Sequence, residues 1–596
     1  MFDFIMPIIY PNFMSPEEYF KNISGVQKKY ESMKAFFQEK MSAEKIASNY
    51  GYSVSTVYTL TKTFRKQLKE YPNKDPFFIM PKKGRPFKKN KNQLDDLIVS
   101  LRKKNLSVPD IKSMIDTHPR FDEISESYID YLLKEEGFSR LPRRNNFSRE
   151  RKELPEKLKA QKSEMIHFVP GKFSSSDIGI LCFLPIVRKY KIDTLIQKSL
   201  YPQTKVINRY CSIMAFIALK LSNVRRYTKD DLWCMDRGLG LFAGLNVLPK
   251  AAWFTSYSSR VTKEMNLSFL QGLHKIWIKE GLLGNTVNLD FTTIPYWGES
   301  DHLENNWSGK RNKALSSISA ILAQDPDSGI IDYGDTNVMH KNENAVVLEF
   351  LDFYRSGNPN DSSLKYLVFD SKFTCYQNLA KLDVDKKVKF LTIRRRGKNI
   401  VQRLNKIPKK EWKKIRVDCA GNKKRTLKVL DEKIFLKDYG KEIRQIAITG
   451  HGKIKPALVI TNDFDEEVEI IIRKYARRWL VEKAISEQIE FFHLNRVSSS
   501  MVIKVDFDLI MSITAHNIYR LLARELERYE NISDQTIYEE FIRNAGEVDI
   551  TEDEVKIFLK KKRTLPAMLT AMQNFAEQKY LGLKNKKLIF FGSTTS

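Results

Sequence analysis

The sequence predicts an α/β core in the second half of the chain, interrupted by a β-rich insertion and preceded by all-α units. Three observations carry that prediction. Short β-branched runs bounded by polar turns begin only near residue 285, whereas the residues before them repeat apolar side chains at helical spacing. After three such runs, helical and strand-like segments alternate, the order of a sheet with crossover helices. Between residues 396 and 455 the alternation gives way to densely basic, strand-like pieces.

Composition bounds what such a chain can be. Its 596 residues suggest several domains at about 150 residues each, long enough to close cores without disulfide or structural metal. With 42% hydrophobic and 29% charged residues, disordered, collagen-like and coiled-coil classes are excluded for its bulk. The balance of charge is unusual. There are 101 Lys and Arg against 72 acids, a net charge of +29. An excess of that size repels itself unless a polyanion is the partner, and nucleic acid is the commonest one. The five cysteines (Cys182, Cys211, Cys234, Cys375 and Cys419) show no CxxC spacing, which argues for a reducing compartment and against a thiolate zinc site. The apolar N-terminus is broken by Pro7 and Pro11 and lacks a basic flank, unlike a signal peptide. No apolar run is long enough to span a bilayer, so a cytoplasmic protein without a membrane partner is expected.

Residues 25–72 read as three short helices. Ser42 is a good N-cap for AEKIASNY, Gly51 stops that helix, and VSTVYTLTKTFRKQL starts after Ser53. This is the helix-turn-helix pattern. In it Ser55, Thr56 and Thr59 face a DNA major groove, with Lys62, Arg65 and Lys66 near phosphates. The basic linker PKKGRPFKKNK follows, where Arg85, held extended by Pro86, suits an A·T-rich minor groove. Residues 88–145 read as a second helix-turn-helix-like domain, with Ser107 capping VPDIKSMI and Ser127 preceding YIDYLLKEEGF. Residues 145–175 are a polar linker or mixed helix, and 175–284 an all-α domain with its own core.

The core covers 285–395 and resumes at 456–530. VNLDFTTI, SISAILAQD and GIIDYGD are meandering strands, ENAVVLEFLDFYRS a crossover helix, and KYLVFD and KVKFLTIRR later strands. That order is RNase H-like. One long helix is expected from about Glu466 to Phe492, and another over 509–529. The tail, 531–596, is mixed and unassigned.

Two acids are out of place in this pattern. Asp290 lies inside the apolar run VNLDFTT, and Asp370 ends YLVFD. Burying a lone carboxylate is costly unless something neutralises it. Sites form at strand ends beside a switch point, and two close acids with hard oxygen ligands select Mg²⁺ or Mn²⁺. On the following helix Tyr475, Arg478 and Glu482 are spaced to share one face, combining a hydroxyl, a guanidinium and a carboxylate suited to gripping phosphate and completing a metal site.

These residues resemble an insertion-sequence DDE transposase of the group with a Tyr-x2-Arg-x3-Glu-x6-Lys signature and a β-rich insertion between its second Asp and its Glu. Tyr475, Arg478 and Glu482 match that spacing, and Asp290 and Asp370 match the Asp positions. The signature Lys is replaced by Ile489, for which His493 or Arg496 could substitute. The resemblance implies two Mg²⁺ ions (or Mn²⁺ in their place) held by Asp290, Asp370 and Glu482, about 4 Å apart, activating water or a DNA 3′-OH. It further implies double-stranded DNA as partner, with terminal inverted repeats bound, cut and joined to target DNA by a synaptic homodimer. Tyr475 and Arg478 would hold the backbone, and Trp412 in the insertion is a counterpart of the aromatic that stacks on a flipped base. The competing expectation is a domesticated, catalytically inactive DNA-binding protein.

Overall fold

The computed structural model describes residues 25–70, 77, 93–103, 106–116, 124–135, 170–225, 232–296, 303–308, 313–338, 340, 343, 345–357, 363–384, 386–419, 423–452, 455–496 and 502–593. It divides into two compact units, residues 1–91 and 92–596. In the first, helices Gly25–Phe37, Ala43–Tyr50 and Val54–Glu70 close over Ala35, Ala43, Ile46, Ala47 and Val57. The expected punctuation is present. The Ser42 hydroxyl accepts from the Lys45 N–H, and Gly51 adopts a left-handed conformation (φ 60°) that a β-carbon would disfavour. Arg85 lies outside the described residues.

The second unit opens with helices Gln93–Lys103, Val108–Asp116 and Glu126–Glu135. Ser107 and Asp110 form a reciprocal cap: the Asp110 N–H donates to the Ser107 hydroxyl, and its carboxylate accepts from the Ser107 N–H. The third helix is capped by Ser125, whose hydroxyl accepts from the Tyr128 N–H, rather than starting after Ser127. Its exposed side chains include Glu126 and Tyr131, and Lys134 pairs with Asp130. The cluster inside the three helices also takes in Ile503 of a later helix.

Fifteen strands follow among the described residues: β1 (Gly171–Ser175), β2 (Thr286–Pro295), β3 (Asn305–Ser308), β4 (Lys313–Gln324), β5 (Ile331–Val338), β6 (Tyr366–Phe369), β7 (Lys389–Ile393), β8 (Lys413–Cys419), β9 (Lys423–Leu436), β10 (Lys441–Thr449), β11 (Ala457–Thr461), β12 (Gly546–Ile550), β13 (Glu554–Leu559), β14 (Lys579–Tyr580) and β15 (Lys586–Gly592). The large sheet runs β3-β4-β2-β6-β7-β11-β10-β9-β8, with β5 also on β4. Strands β2, β4 and β5 form an antiparallel meander. After helix Val346–Gly357, β6 and β7 add in parallel beside β2. All four residues of β6 are buried, as expected of a parallel strand covered on both faces.

The insertion is not a separate body. Strand β11 pairs antiparallel with β7, and β10, β9 and β8 extend the same sheet outward. Nor does the helical region 175–284 keep a core to itself, because one continuous cluster runs from Ile178 to Leu588. Strand β1 pairs with β12 in a second sheet, β1-β12-β13-β15-β14, which gives the tail its structure. Helix Val502–Glu525 threads this core almost wholly buried. Its polar residues are satisfied: Asp506 accepts from Lys263, Asn266 and Thr336, and Asn517 bonds both the N–H and the carbonyl of Ile331. No helix among the described residues is long and apolar enough to cross a membrane.

Candidate active site

Strands β2 and β6 run parallel with Leu289 beside Phe369. The next residue along each chain is an aspartate: Asp290, midway along β2 where its pairing with β6 stops, and Asp370, just past the end of β6. Phe291 and Phe373 then stack at 4.0 Å with an interplanar angle of 8°, riveting together the two segments that carry the acids. The carboxylates differ in company. Asp290 accepts from the Phe291 N–H at 2.8 Å and from Arg478 Nη1 at 2.7 Å. Asp370 begins a short 3₁₀ turn without capping it, and its carboxylate has no hydrogen-bond or ion-pair partner among the described residues.

The expected single helix over 466–492 is two helices, Val468–Ala476 and Trp479–Glu490. Tyr475 sits near the end of the first, Arg478 at the break, and Glu482 in the first turn of the second. Two contacts hold the break. Asn288, fully buried on β2, donates from Nδ2 to the Arg477 carbonyl at 3.0 Å. Arg477 reaches the β4–β5 turn, donating to Asp327 Oδ1 and to the Pro326 carbonyl, both at 2.7 Å. The break leaves Arg478 forked between acids, with Nη1 on Asp290 and Nη2 2.5 Å from Glu482 Oε1. Tyr475 lies close by, its ring 5.9 Å from the guanidinium carbon.

Electrostatics follow from this enclosure. Burial is the largest influence on Asp290 and pushes it up to about 6; Glu482 and Asp370 add to the rise, while Arg478 and the Phe291 N–H oppose it. Burial likewise raises the Tyr475 phenol to about 12, so it remains a donor at neutral pH. Arg478 resists its own desolvation, because at neutral pH the carboxylates of Asp290, Glu482 and Asp370 together hold its charge.

The donor set fits a divalent metal. Three carboxylates are the hard-oxygen donors such an ion takes: Arg478 bridges Asp290 and Glu482, and Asp370 is near enough to repel Asp290, although the three do not bring donor atoms within 4.8 Å of one another in this metal-free arrangement. Among the described residues, the one trio of potential ligands with donor atoms within 4.8 Å of one another lies elsewhere: Glu487, His516 and Asp534. That trio is already satisfied. Nδ1 of His516 is 2.6 Å from Asp534, and its Nε2 is 3.1 Å from the Gly329 carbonyl. With an acceptor at each nitrogen the ring carries both protons and has no lone pair for a metal. Arg520 Nε donates to the remaining Asp534 oxygen at 2.8 Å.

Other expected site residues are placed as follows. Ser55 and Thr59 are exposed and Thr56 half-buried on helix Val54–Glu70, with Lys62 and Arg65 exposed further along it. The Ser53 hydroxyl caps that helix through the Thr56 N–H. Trp412 is half-buried and packs, with Ile400, Ile407 and Leu430, on Leu404, Ala447 and Leu458. His493 does not replace the signature Lys either, since burial lowers it to about 4 and its Nε2 is engaged by Asn223. Arg496 is exposed.

A mixed sheet thus sets Asp290 and Asp370 on neighbouring strand segments, beside a helix that carries Glu482. Residues 285–518 match the model of the transposase DDE domain, a stretch that includes Asp290, Asp370, Tyr475, Arg478 and Glu482. No curated protein matches the chain. Among solved structures it is similar to a cryo-EM structure of the piggyBac transposase synaptic complex with hairpin DNA, at 12% identity and a TM-score of 0.34, covering 67% of this chain and 82% of that one.

Proposed function

We propose that the protein is a DNA transposase of the Tyr-Arg-Glu signature group with an RNase H-like catalytic core. In this reading it binds terminal inverted repeats, cuts the transposon ends and joins the freed 3′-OH to target DNA, working as a homodimer that synapses two ends. The observation that supports it best is the parallel register setting Asp290 beside Asp370, with Glu482 brought over them by the helix break.

Asp290, Asp370 and Glu482 hold Mg²⁺, or Mn²⁺ in its place. When bound, such ions supply an activated water or 3′-hydroxyl and stabilise the leaving oxygen. The chain's own contribution is position and charge. The stacked Phe291 and Phe373 fix the spacing of the aspartates, and Tyr475 donates its phenolic proton to a phosphate oxygen. Arg478 grips the phosphate with two parallel N–H donors, a geometry Lys lacks. Ser55, Thr56 and Thr59 read bases, Lys62 and Arg65 contact backbone, and Arg85 enters the minor groove. Basic side chains of β8 and β9 track the duplex: Lys414 lies opposite Lys428, a like-charge pair that is unfavourable without a polyanion.

The test is cleavage of duplexes carrying the inverted repeats that flank the reading frame, with Mg²⁺ or Mn²⁺. Nicking by the wild type that is lost in Asp290→Asn, Asp370→Asn and Glu482→Gln is expected. Binding without cleavage by the wild type would instead favour a domesticated DNA-binding protein.

A further inference from the structure

The position of Arg478 raises a conflict. Its guanidinium bridges Asp290 on β2 and Glu482 on the following helix, the same carboxylates that metal ions require. It cannot hold both acids in this way and also grip a phosphate. We propose that Arg478 is the placeholder cation of the metal-free site: it neutralises two of the three acids until divalent ions arrive, and is released to the DNA phosphate as they enter. The inference rests on the reading of Asp290, Asp370 and Glu482 as metal ligands.

Three features support a temporary arrangement over a permanent one. A two-pronged cation leaves one acid over, and Asp370 is the one without a partner among the described residues. The Arg478 Nε is buried without a hydrogen-bond partner, so the side chain gives up one of its donors to reach both carboxylates. The two prongs are also unequal. The Asp290 side chain is 17% exposed and that of Glu482 53%. An exposed prong is weak and opens first, with the Tyr475 ring alongside to receive the released guanidinium. Because one side chain serves both ligands, metal loading and phosphate binding assist each other reciprocally.

Mn²⁺ titration of the full chain without DNA, followed by water-proton relaxation, tests this. Arg478→Gln should bind Mn²⁺ about five- to a hundredfold more tightly than wild type, the span of ordinary coupling between sites. Arg478→Lys should move most of the way, since a single ammonium cannot bridge both acids. Unchanged or weaker binding by Arg478→Gln overturns the proposal. So does a wild-type affinity in Arg478→Lys, which would mean a nearby positive charge rather than occupancy. Asp290→Asn separates this from failure of the underlying reading: if the wild type binds no Mn²⁺, or if the Asp290→Asn variant binds it equally well, the metal site itself is wrong. Melting curves of each variant confirm that it is folded.

Discussion

Asp370 has no hydrogen-bond or ion-pair partner among the described residues, and its attraction to Arg478 is offset by repulsion from Asp290, so its carboxylate adds little to stability and, in the proposed function, acts through what it binds. Asp370→Asn should therefore leave the melting temperature of the metal-free protein unchanged. Cleavage should fall by at least about a hundred- to thousandfold, the usual loss when a charge-stabilising group is removed. A matched fall in stability would argue for a structural role. Glu487 predicts a pH effect. Burial and Asp534 push it up to about 7, against the pull of His516, Arg520 and Lys483. Between its unfolded value and 7 the folded protein holds a proton that the unfolded chain releases, so this group's contribution weakens as pH rises through that window. Glu487→Gln should raise the melting temperature by about 1–2 °C at pH 8, with the gain vanishing near pH 5. Single residues were legible to different degrees. Asp290 and Asp370 stand out because an acid is anomalous in an apolar strand. Asn288 sits in the same strand, but an amide is a weaker anomaly, and its partner is a backbone carbonyl that no sequence pattern marks.

The helix break is where the reading of elements fails. Residues 468–490 contain neither Gly nor Pro, so local propensity favours one continuous helix. The interruption is held by Asn288 and by the reach of Arg477 to the β4–β5 turn, both tertiary contacts. Asn288→Leu should consequently cost about 1–3 kcal/mol by leaving the Arg477 carbonyl unpaired. It should also lower kcat more than it raises KM, because Glu482 and Arg478 lose their aim while the DNA-binding surface persists. An equal change in both constants would contradict this. Trp412 admits two roles. In sequence it is an aromatic among lysines, as a stacking residue would be; in the fold it is the apolar anchor of helix Lys398–Lys406. Trp412→Ala should destabilise the protein by about 1–3 kcal/mol without altering the fluorescence of 2-aminopurine at a transposon end.

For the molecule as a whole, the strand and helix order was readable because hydrophobic period changes near residue 285, and the adjacency of the two strands associated with Asp290 and Asp370 followed from it, but their register did not. Domain boundaries were less so. Sequence shows where apolar segments lie but not which of them share a core, and here segments as distant as Ile178 and Leu588 do. The net charge of +29 carries its own expectation. If Lys62 and Arg65 contact phosphates, replacing both with Ala should lower the slope of log binding constant against log salt by about 1.8, at roughly 0.9 per phosphate contact. An unchanged slope would remove that helix from the interface.

The edge-to-edge pairing of β11 with β7 has a mechanical meaning. A ribbon joined to its support by main-chain bonds behaves as a cantilever rather than a hinged arm. If the ribbon holds the duplex as proposed, load at its tip would pass through β7 to β6, the strand that Asp370 follows, and bending of the DNA would bear on the spacing of the acids.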